Sequence, residues 1–221
     1  MRKMFGGLGL AVVGSVLVFL YSSLYTADEE TDKGGGSAKT GEIYVTSVEK
    51  IPVDEGAVKE MATIVLNDCI KVKEIQVIKL EGKTTLKYPV YVSKRGKEYP
   101  QFETLTKQAS DEIEKAIKSG KPSKKTSKSI SFKITNFSPL RSQSSRKVNA
   151  SVDFNNAVRV SCGVMEGKRG PWISWPSRKD EETGKWKKQV LIINKKVKDV
   201  VEKSLLDKYR TAGSEESSED E

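Results

Sequence analysis

The sequence predicts an α+β fold: two tandem small domains, each an antiparallel sheet with a C-terminal packing helix, preceded by one transmembrane helix. Three observations support this prediction. The chain opens on an uncharged apolar run, a series of strand patterns occurs twice in the same order, and each series ends in an amphipathic helical pattern. The chain of 221 residues has room for two domains of roughly 80 residues, a size at which a single core becomes adequate.

An apolar segment near the N-terminus is predicted to anchor the chain in a membrane. Arg2 and Lys3 precede residues 4–25, which carry no charged side chain. A helix of that length can cross about 30 Å of hydrocarbon, whereas the apolar core of a secretory signal has roughly 7 to 15 residues. We therefore expect an uncleaved anchor over residues 1–27, with a signal peptide cleaved after Ala27 as the alternative. The cations before the segment place the N-terminus in the cytoplasm and the remainder outside.

Three further segments, a tether, a linker and a tail, lie outside the predicted domains. Residues 28–41, "DEETDKGGGSAKTG", are acidic and then glycine-rich, which is typical of a flexible tether. Residues 121–129 form a basic linker of Lys, Pro and Ser between the two repeated series. Residues 212–221 are rich in Glu and Ser, and we expect a disordered acidic tail there.

The first domain is predicted over residues 42–120. Its strand patterns are "EIYVTSVEKIPV", "KEMATIVLND" and "CIKVKEIQVIK", followed after a turn by "LKYPVYV". The Asn-Asp pair that closes the second pattern is typical of a hairpin turn. In "FETLTKQASDEIEKAIKSG" the apolar residues recur at three- and four-residue spacings, which predicts a helix that stops at Gly120.

The third strand pattern contains an irregularity. Ile70 and Val72 share one face of the predicted strand. Ile75 and Val77 fall one step out of phase with them. A bulge near Lys73 would bring all four side chains to the same face.

The second domain is predicted over residues 130–211, because the same patterns return in the same order. The patterns "ISFKITNFSPL", "KVNASVDFNN", "AVRVSCGVM" and "GPWISWPSRKD" match those of the first domain, with Asn-Asn in place of Asn-Asp. The last pattern, "NKKVKDVVEKSLLDKYR", has an apolar face and a lysine-rich face and predicts the second helix. The repetition indicates a duplicated unit.

The residue types that most often carry catalysis are absent or sparse. The chain has no histidine, which excludes Ser-His and Cys-His nucleophile pairs and histidine-ligated zinc. Cys69 and Cys162 stand at positions that do not match between the repeats and form no CxxC motif. We interpret them as two buried thiols rather than as a disulfide. We predict no enzyme activity, no cofactor and no metal site.

The repeated patterns resemble those of the stage V sporulation protein G family of bacterial septation and regulatory proteins. In the first domain the resemblance lies in "ATIVLNDCIKVKEIQVIK" and "VYVSKRGKEY", and in the second it lies in "ASVDFNNAVRV", "WISWPSRKDEETGKW" and "VVEKSLLDKYR". The sequence departs from the family pattern at Val92, where the family has Pro, and at Arg178 and Lys179, which reverse a Lys-Arg pair. A membrane segment is also not typical of the family.

The resemblance implies a cytoplasmic protein that binds DNA or RNA and takes part in septation, cell division and sporulation. Members of the family dimerise through their sheets. Two fused copies would then form an internal pseudo-dimer, or the chain would form a homo-oligomer. The cytoplasmic location implied by the resemblance conflicts with the outward orientation that the charge rule gives.

Positive charge is concentrated in the second domain. Residues 130–211 hold 18 Lys or Arg against 8 Asp or Glu, whereas residues 42–120 hold 13 of each class. Such an excess releases counterions from a phosphate backbone, and exposed aromatic rings stack on unpaired bases. We predict that the nucleic-acid-binding residues are Lys168, Arg169, Trp172, Arg178, Lys179, Lys185, Lys187 and Lys188, with Lys94, Arg95 and Lys97 as their counterparts in the first domain.

A competing interpretation is that these cations form a solvated face and that at least one tryptophan is buried in the core. Of Trp172 and Trp175 we expect one to be buried, because positions of opposite parity on a strand point to opposite faces. The first domain, neutral overall, is expected to act as a structural partner of the second.

Two functions follow from these patterns. The first is a membrane-tethered regulatory protein whose second domain binds DNA or RNA phosphates. The alternative is an extracytoplasmic envelope or septum protein in which the same surface binds other polyanions or a protein partner. The acidic tail would compete with phosphate for the basic surface, or only keep the chain soluble.

Overall fold

The computed structural model describes residues 41–141 and 143–216, all of which fall within one compact unit. We call residues 42–120 the first half and residues 130–216 the second half. The first half contains β1 (Val45–Glu55), β2 (Val58–Leu66), β3 (Ile70–Leu80), β4 (Lys83–Lys87), β5 (Val90–Val92), β6 (Glu98–Pro100), β7 (Phe102–Thr104) and α1 (Lys107–Ser119). The second half contains β8 (Phe132–Pro139), β9 (Arg146–Phe154), β10 (Val158–Gly167), β11 (Gly170–Ser174), β12 (Ser177–Lys179), β13 (Trp186–Lys188), β14 (Val190–Ile192) and α2 (Lys195–Glu216).

The predicted bulge in β3 is confirmed. The register between β2 and β3 shifts between Ala62 and Ile64, and Glu74 lies in the left-handed region with φ 58. A bulge of this kind inserts one residue without moving the rest of the strand to the wrong face. The four apolar residues of the pattern are consequently all buried: Ile70, Val72, Ile75 and Val77.

Both predicted Asn-containing turns are present and connect the halves. Asn67 and Asp68, like Asn155 and Asn156, have positive φ, as a two-residue hairpin turn of type I′ requires. The Nδ2 atoms of Asn67 and Asn155 both donate to the carbonyl oxygens of Glu42 and Ser129, at 3.0–3.3 Å. Equivalent turns of the two halves therefore share the same two acceptors.

The two halves exchange one strand each. β7 of the first half pairs antiparallel with β10 of the second, and β14 of the second half pairs antiparallel with β3 of the first. The flanking hydrogen bonds are equivalent, because Leu105 N donates to Ala157 O and Ile193 N donates to Cys69 O. Buried residues of both sheets and both helices belong to one hydrophobic cluster. Cys69 and Cys162 lie in it as free buried thiols, as predicted.

The predicted fold class is wrong. Instead of a clear tandem pair of α+β domains, the described residues form a mostly β structure in which strands far outnumber the two helices. Each five-stranded sheet includes a strand from the other half. The physical reason is that the free edges of β3 and β10 would leave backbone N–H and C=O groups without partners, and each half supplies the strand that satisfies them.

The prediction of a single-pass membrane protein is also corrected. No helix within the described ranges is long and apolar enough to cross a membrane. α1 has only 13 residues, and α2 carries lysine and acidic side chains along its length. The predicted transmembrane segment, residues 4–25, and nearly all of the tether over residues 28–41 lie outside the described residues.

The remaining segments differ in part from expectation. α1 ends at Gly120, with φ 67, as predicted. The linker over residues 121–129 is hydrogen-bonded to the first sheet, because Ser123 N donates to Val45 O at 2.8 Å and Val45 N donates to Ser123 Oγ at 2.9 Å. α2 continues to Glu216, past the predicted start of the acidic tail, and residues 217–221 lie outside the described part.

Candidate nucleic-acid interface

β12 and β13 form a short hairpin that holds five of the eight binding residues predicted in the second domain. The two strands pair in the register Ser177–Lys188, Arg178–Lys187 and Lys179–Trp186. Directly opposed residues of an antiparallel pair share a face, and successive residues alternate between faces. Arg178 and Lys187 therefore lie on one face of the hairpin. We call the opposite face, with Lys179, Trp186 and Lys188, the open face.

Arg178 anchors the hairpin to the first half. Its Nε donates to Glu74 Oε2 at 2.7 Å and its Nη2 donates to Glu74 Oε1 at 3.0 Å. Gln189 Nε2 donates to the same carboxylate at 2.9 Å. Partial burial raises the pKa of Glu74, but the hydrogen bonds and charge of its partners outweigh this and lower the pKa overall. The bulge in β3 thus presents an ionised carboxylate to the hairpin.

Lys187 is paired within the hairpin. It forms an ion pair with Asp180, whose carboxylate also accepts hydrogen bonds from Thr183 N at 2.9 Å and from Thr183 Oγ1 at 2.6 Å. The hydrogen bond from Lys187, followed by those from Thr183, holds the pKa of Asp180 well below its usual range. The structure therefore gives Arg178 and Lys187, both predicted to bind nucleic acid, intramolecular partners.

The open face combines an exposed indole with exposed lysines. Trp186 is 70% exposed. Lys179 and Lys188 flank it on the same face, and Lys185 precedes it in the connecting loop. All three lysines are exposed, and none forms an ion pair with a described residue. This face can attract phosphates and offer a ring for a base to stack on.

Lys168 and Arg169 occupy a second position. They form the two-residue turn between β10 and β11, closed by the facing pair Gly167 and Gly170, and both side chains are exposed. Trp172 follows on β11 and is 51% exposed. The turn lies at one end of β11, and the chain reaches the β12–β13 hairpin only after the other end.

Trp175 belongs to the core. It is 8% exposed, and its Nε1 donates to Glu202 Oε1 of α2 at 2.7 Å. The expectation that one of Trp172 and Trp175 is buried is confirmed, and the structure identifies the buried one as Trp175.

The predicted cations of the first half lie in a third position. Lys94, Arg95 and Lys97 are exposed in the loop that connects β5 and β6. Lys97 Nζ lies 5.1 Å from the centroid of the Tyr99 ring, a cation–π contact. The structure thus distributes the predicted residues over a hairpin, a turn and a loop.

Glu74 has a role that sequence reasoning missed. The sequence predicted a bulge near Lys73, one residue away, but the carboxylate of Glu74 acquires its partner from a residue 104 positions along the chain. A charged residue in a bulge of an otherwise alternating strand is the only signal that the sequence offers.

Comparisons with known proteins add no assignment. No protein-family model matches the chain, and no curated protein or solved structure matches it significantly. The roles in septation, cell division and sporulation that the resemblance implied therefore have no support.

Proposed function

We propose that this protein binds the phosphate backbone of DNA or RNA through the β12–β13 hairpin and the β10–β11 turn of its second half. The observation that supports the proposal best is the open face, where Trp186 is 70% exposed between Lys179 and Lys188, neither of which forms an ion pair within the described part of the chain. Folding normally removes a large aromatic ring from water, so a ring left exposed among cations favours a ligand that is both anionic and aromatic.

The proposal divides the predicted cations by role. Arg178 and Lys187 position the hairpin through Glu74 and Asp180. The open-face lysines, with Lys185 and the turn residues Lys168 and Arg169, contact phosphates. Contacts of this type carry little sequence information, so we expect affinity that depends strongly on salt and weakly on base sequence. The role is binding, with no chemical step.

The first experiment removes charge from the hairpin of the full-length protein. Fluorescence anisotropy would follow binding of a labelled 20-nucleotide RNA or DNA across a salt series. We expect the triple variant Lys179→Ala, Lys185→Ala and Lys188→Ala to lose affinity and to reduce the slope of log affinity against log salt by about 2 to 3. The matched control replaces three exposed lysines outside the interface: Lys83, Lys115 and Lys121. Salt-independent binding, or an equal loss in both triple variants, would contradict the proposal.

The second experiment separates nucleic acid from other polyanions. Trp186→Ala removes the ring and leaves the charges in place. We expect it to weaken binding to single-stranded nucleic acid by about tenfold, the typical value of a base–aromatic stack, and to leave binding to inorganic polyphosphate unchanged. If polyphosphate binds as tightly as nucleic acid and Trp186→Ala affects neither, the surface is a general polyanion site.

A further inference from the structure

The second sheet has one face that both helices leave open. Its strand order is β11-β10-β9-β8, and β7 also pairs with β10. Val160, Cys162 and Val164 of β10 are buried in the hydrophobic cluster that also contains Val201 and Leu205 of α2. The alternate residues of β10 point to the opposite side, which we call the outer face. Exposed side chains such as Asn149 and Trp172 lie there.

Cross-strand register places four residues together on this outer face. Trp172 on β11 lies opposite Met165 on β10, and Met165 lies opposite Arg146 on β9. Gly163, two residues before Met165, shares its face. Trp172 is 51% exposed, and Met165 and Arg146 are half-buried.

Arg146 lies across the backbone of Gly163. Its Nη2 donates to Cys162 O at 3.1 Å. A Cβ added at Gly163 would lie 2.7 Å from Arg146 Cζ and 2.6 Å from Arg146 Nε, so only glycine leaves space for the guanidinium in this position. Nε is buried and has no hydrogen-bond partner among the described residues. A buried N–H without a partner costs free energy, so the position that Arg146 takes over Gly163 is not explained by its hydrogen bonds to the described residues.

The charge of the outer face complements phosphate. Asp153 accepts two hydrogen bonds from Arg159, at 2.6 and 2.8 Å, and Glu103 of β7 stands opposite Arg159 on the same face. Asp153 is therefore neutralised, and the charge of Glu103 also acts on the Arg159 guanidinium. The cations without an ion pair to a described residue remain: Lys133 and Arg146 on the face, and Lys168 and Arg169 at its end.

We propose that Arg146, Met165 and Trp172 form a platform on which the bases of single-stranded nucleic acid stack, with Lys168 and Arg169 holding the adjoining phosphates. This inference rests on the proposed function and names its ligand class. Unpaired bases stack on aromatic rings and arginine planes, whereas the bases of a duplex are stacked on each other and cannot reach a flat sheet.

The first half provides an internal control. The β3–β4 pair of the first sheet corresponds to the β10–β11 pair of the second. Ile78 lies opposite Thr85, in the same register as Met165 opposite Trp172. Gln76 lies opposite Lys87, in the same register as Gly163 opposite Ser174. Thr85 and Gln76 thus stand where the second sheet has Trp172 and Gly163. The first sheet has neither the exposed indole nor the space for a guanidinium, so the platform is specific to the second half.

The experiment compares a labelled single-stranded 20-mer with a duplex of the same sequence, using the full-length protein. We expect Gly163→Ala, which displaces Arg146 without removing its charge, and Trp172→Ala to weaken single-strand binding by about tenfold. Duplex binding should stay within twofold of the unmodified protein. Gln76→Ala and Thr85→Ala, the equivalent changes in the first sheet, should affect neither ligand.

A second variant tests the same contact in case Gly163→Ala fails to fold. Arg146→Met removes the guanidinium without adding a Cβ and should reproduce the selective loss. In a Trp186→Phe background, single-stranded DNA should still quench tryptophan emission, since Trp172 remains exposed while Trp175 is buried.

The outcomes separate the two proposals. If Arg146→Met and Trp172→Ala retain the native circular dichroism and bind single strands normally, the platform is overturned, and the hairpin proposal stands. If the unmodified protein binds duplex and single strand equally and no platform variant discriminates between them, the platform is again overturned. If no nucleic acid binds at all, the proposed function fails and the platform fails with it.

Discussion

At the scale of single residues, Glu74 connects the two halves. It occupies the bulge of β3, and its carboxylate accepts hydrogen bonds from Nε and Nη2 of Arg178. The side chain of Arg178 is 48% exposed and that of Glu74 is 26% exposed, so water screens part of their attraction. The main consequence of the pair is therefore the position of the β12–β13 hairpin rather than a large stabilisation.

Replacing Glu74 with Gln should release the hairpin. The charge that holds Arg178 is lost, and we expect the free energy of unfolding to fall by only about 1 kcal/mol, as for a partly exposed ion pair. Hydrogen exchange of the backbone amides in residues 177–189 should become faster than in the unmodified protein. Glu49→Gln, at an exposed carboxylate of β1, is the control and should leave this exchange unchanged. Equal exchange in both variants would show that Glu74 does not position the hairpin.

The hairpin should also respond to acid. The pKa values of Glu74 and Asp180 are lowered from 4.5 and 3.8, so their stabilisation is present above these values and is lost as the pH falls through the lowered ones. The Thr183 amide, which donates to Asp180, should keep its NMR chemical shift down to pH 3.8 and move only below it. A midpoint at or above the ordinary value for aspartate would refute this.

At the scale of elements, β3 and β10 are equivalent strands that differ by one residue. β10 pairs with β9 in regular register from Val158 to Val164, whereas β3 contains the bulge at Glu74. Without Glu74, the residues Ile70, Val72, Ile75 and Val77 would alternate regularly. The bulge therefore adds an anchor for the hairpin without changing which residues the core receives.

Deletion of Glu74 tests this interpretation. We expect the deletion variant to fold, because its apolar residues stay in phase, and to show the fast hairpin exchange of the Gln variant. Deletion of Gln76 is the matched control, because it leaves the bulge and moves Val77 out of phase with Ile75. That variant should unfold at much lower denaturant concentration, as followed by circular dichroism. Equal stability of the two deletions would contradict the assignment of the bulge.

At the scale of the whole molecule, strand exchange makes the halves interdependent. β7 and β14 each complete the sheet of the other half, and Asn67 and Asn155 share two backbone acceptors. One hydrophobic cluster includes buried residues from both halves. Neither sheet keeps all its strands if the other half unfolds, so we expect one cooperative transition.

Unfolding by denaturant should show this directly. All three tryptophans lie in the second half, at Trp172, Trp175 and Trp186, so fluorescence reports on that half while circular dichroism reports on both. Ile64→Ala in the fully buried part of the first half should cost about 2 to 5 kcal/mol and shift both signals together. Ile51→Ala, 66% exposed on the neighbouring strand, should shift neither. A fluorescence transition unaffected by Ile64→Ala would show independent halves.

Local patterns in the sequence determined the features that depend on neighbouring residues. They predicted the Asn turns, the bulge near Lys73, the end of α1 at Gly120, the buried thiols and the burial of one tryptophan. For the candidate site they predicted which cations and rings concentrate in the second half. Each of these follows from strand or helix periodicity or from the φ preference of a residue, which act over a few positions.

Only the tertiary structure decided the mostly β class, the exchange of β7 and β14, and the division of the cations into paired and unpaired. In the sequence Arg178 and Lys179 are adjacent cations with the same predicted role. In the structure Arg178 is hydrogen-bonded to Glu74, 104 positions away, whereas Lys179 is exposed to solvent beside Trp186. Arg146 acquires its position only because β10 brings Gly163 beneath it. Contacts between distant segments depend on how the sheets assemble, and no local periodicity encodes that assembly.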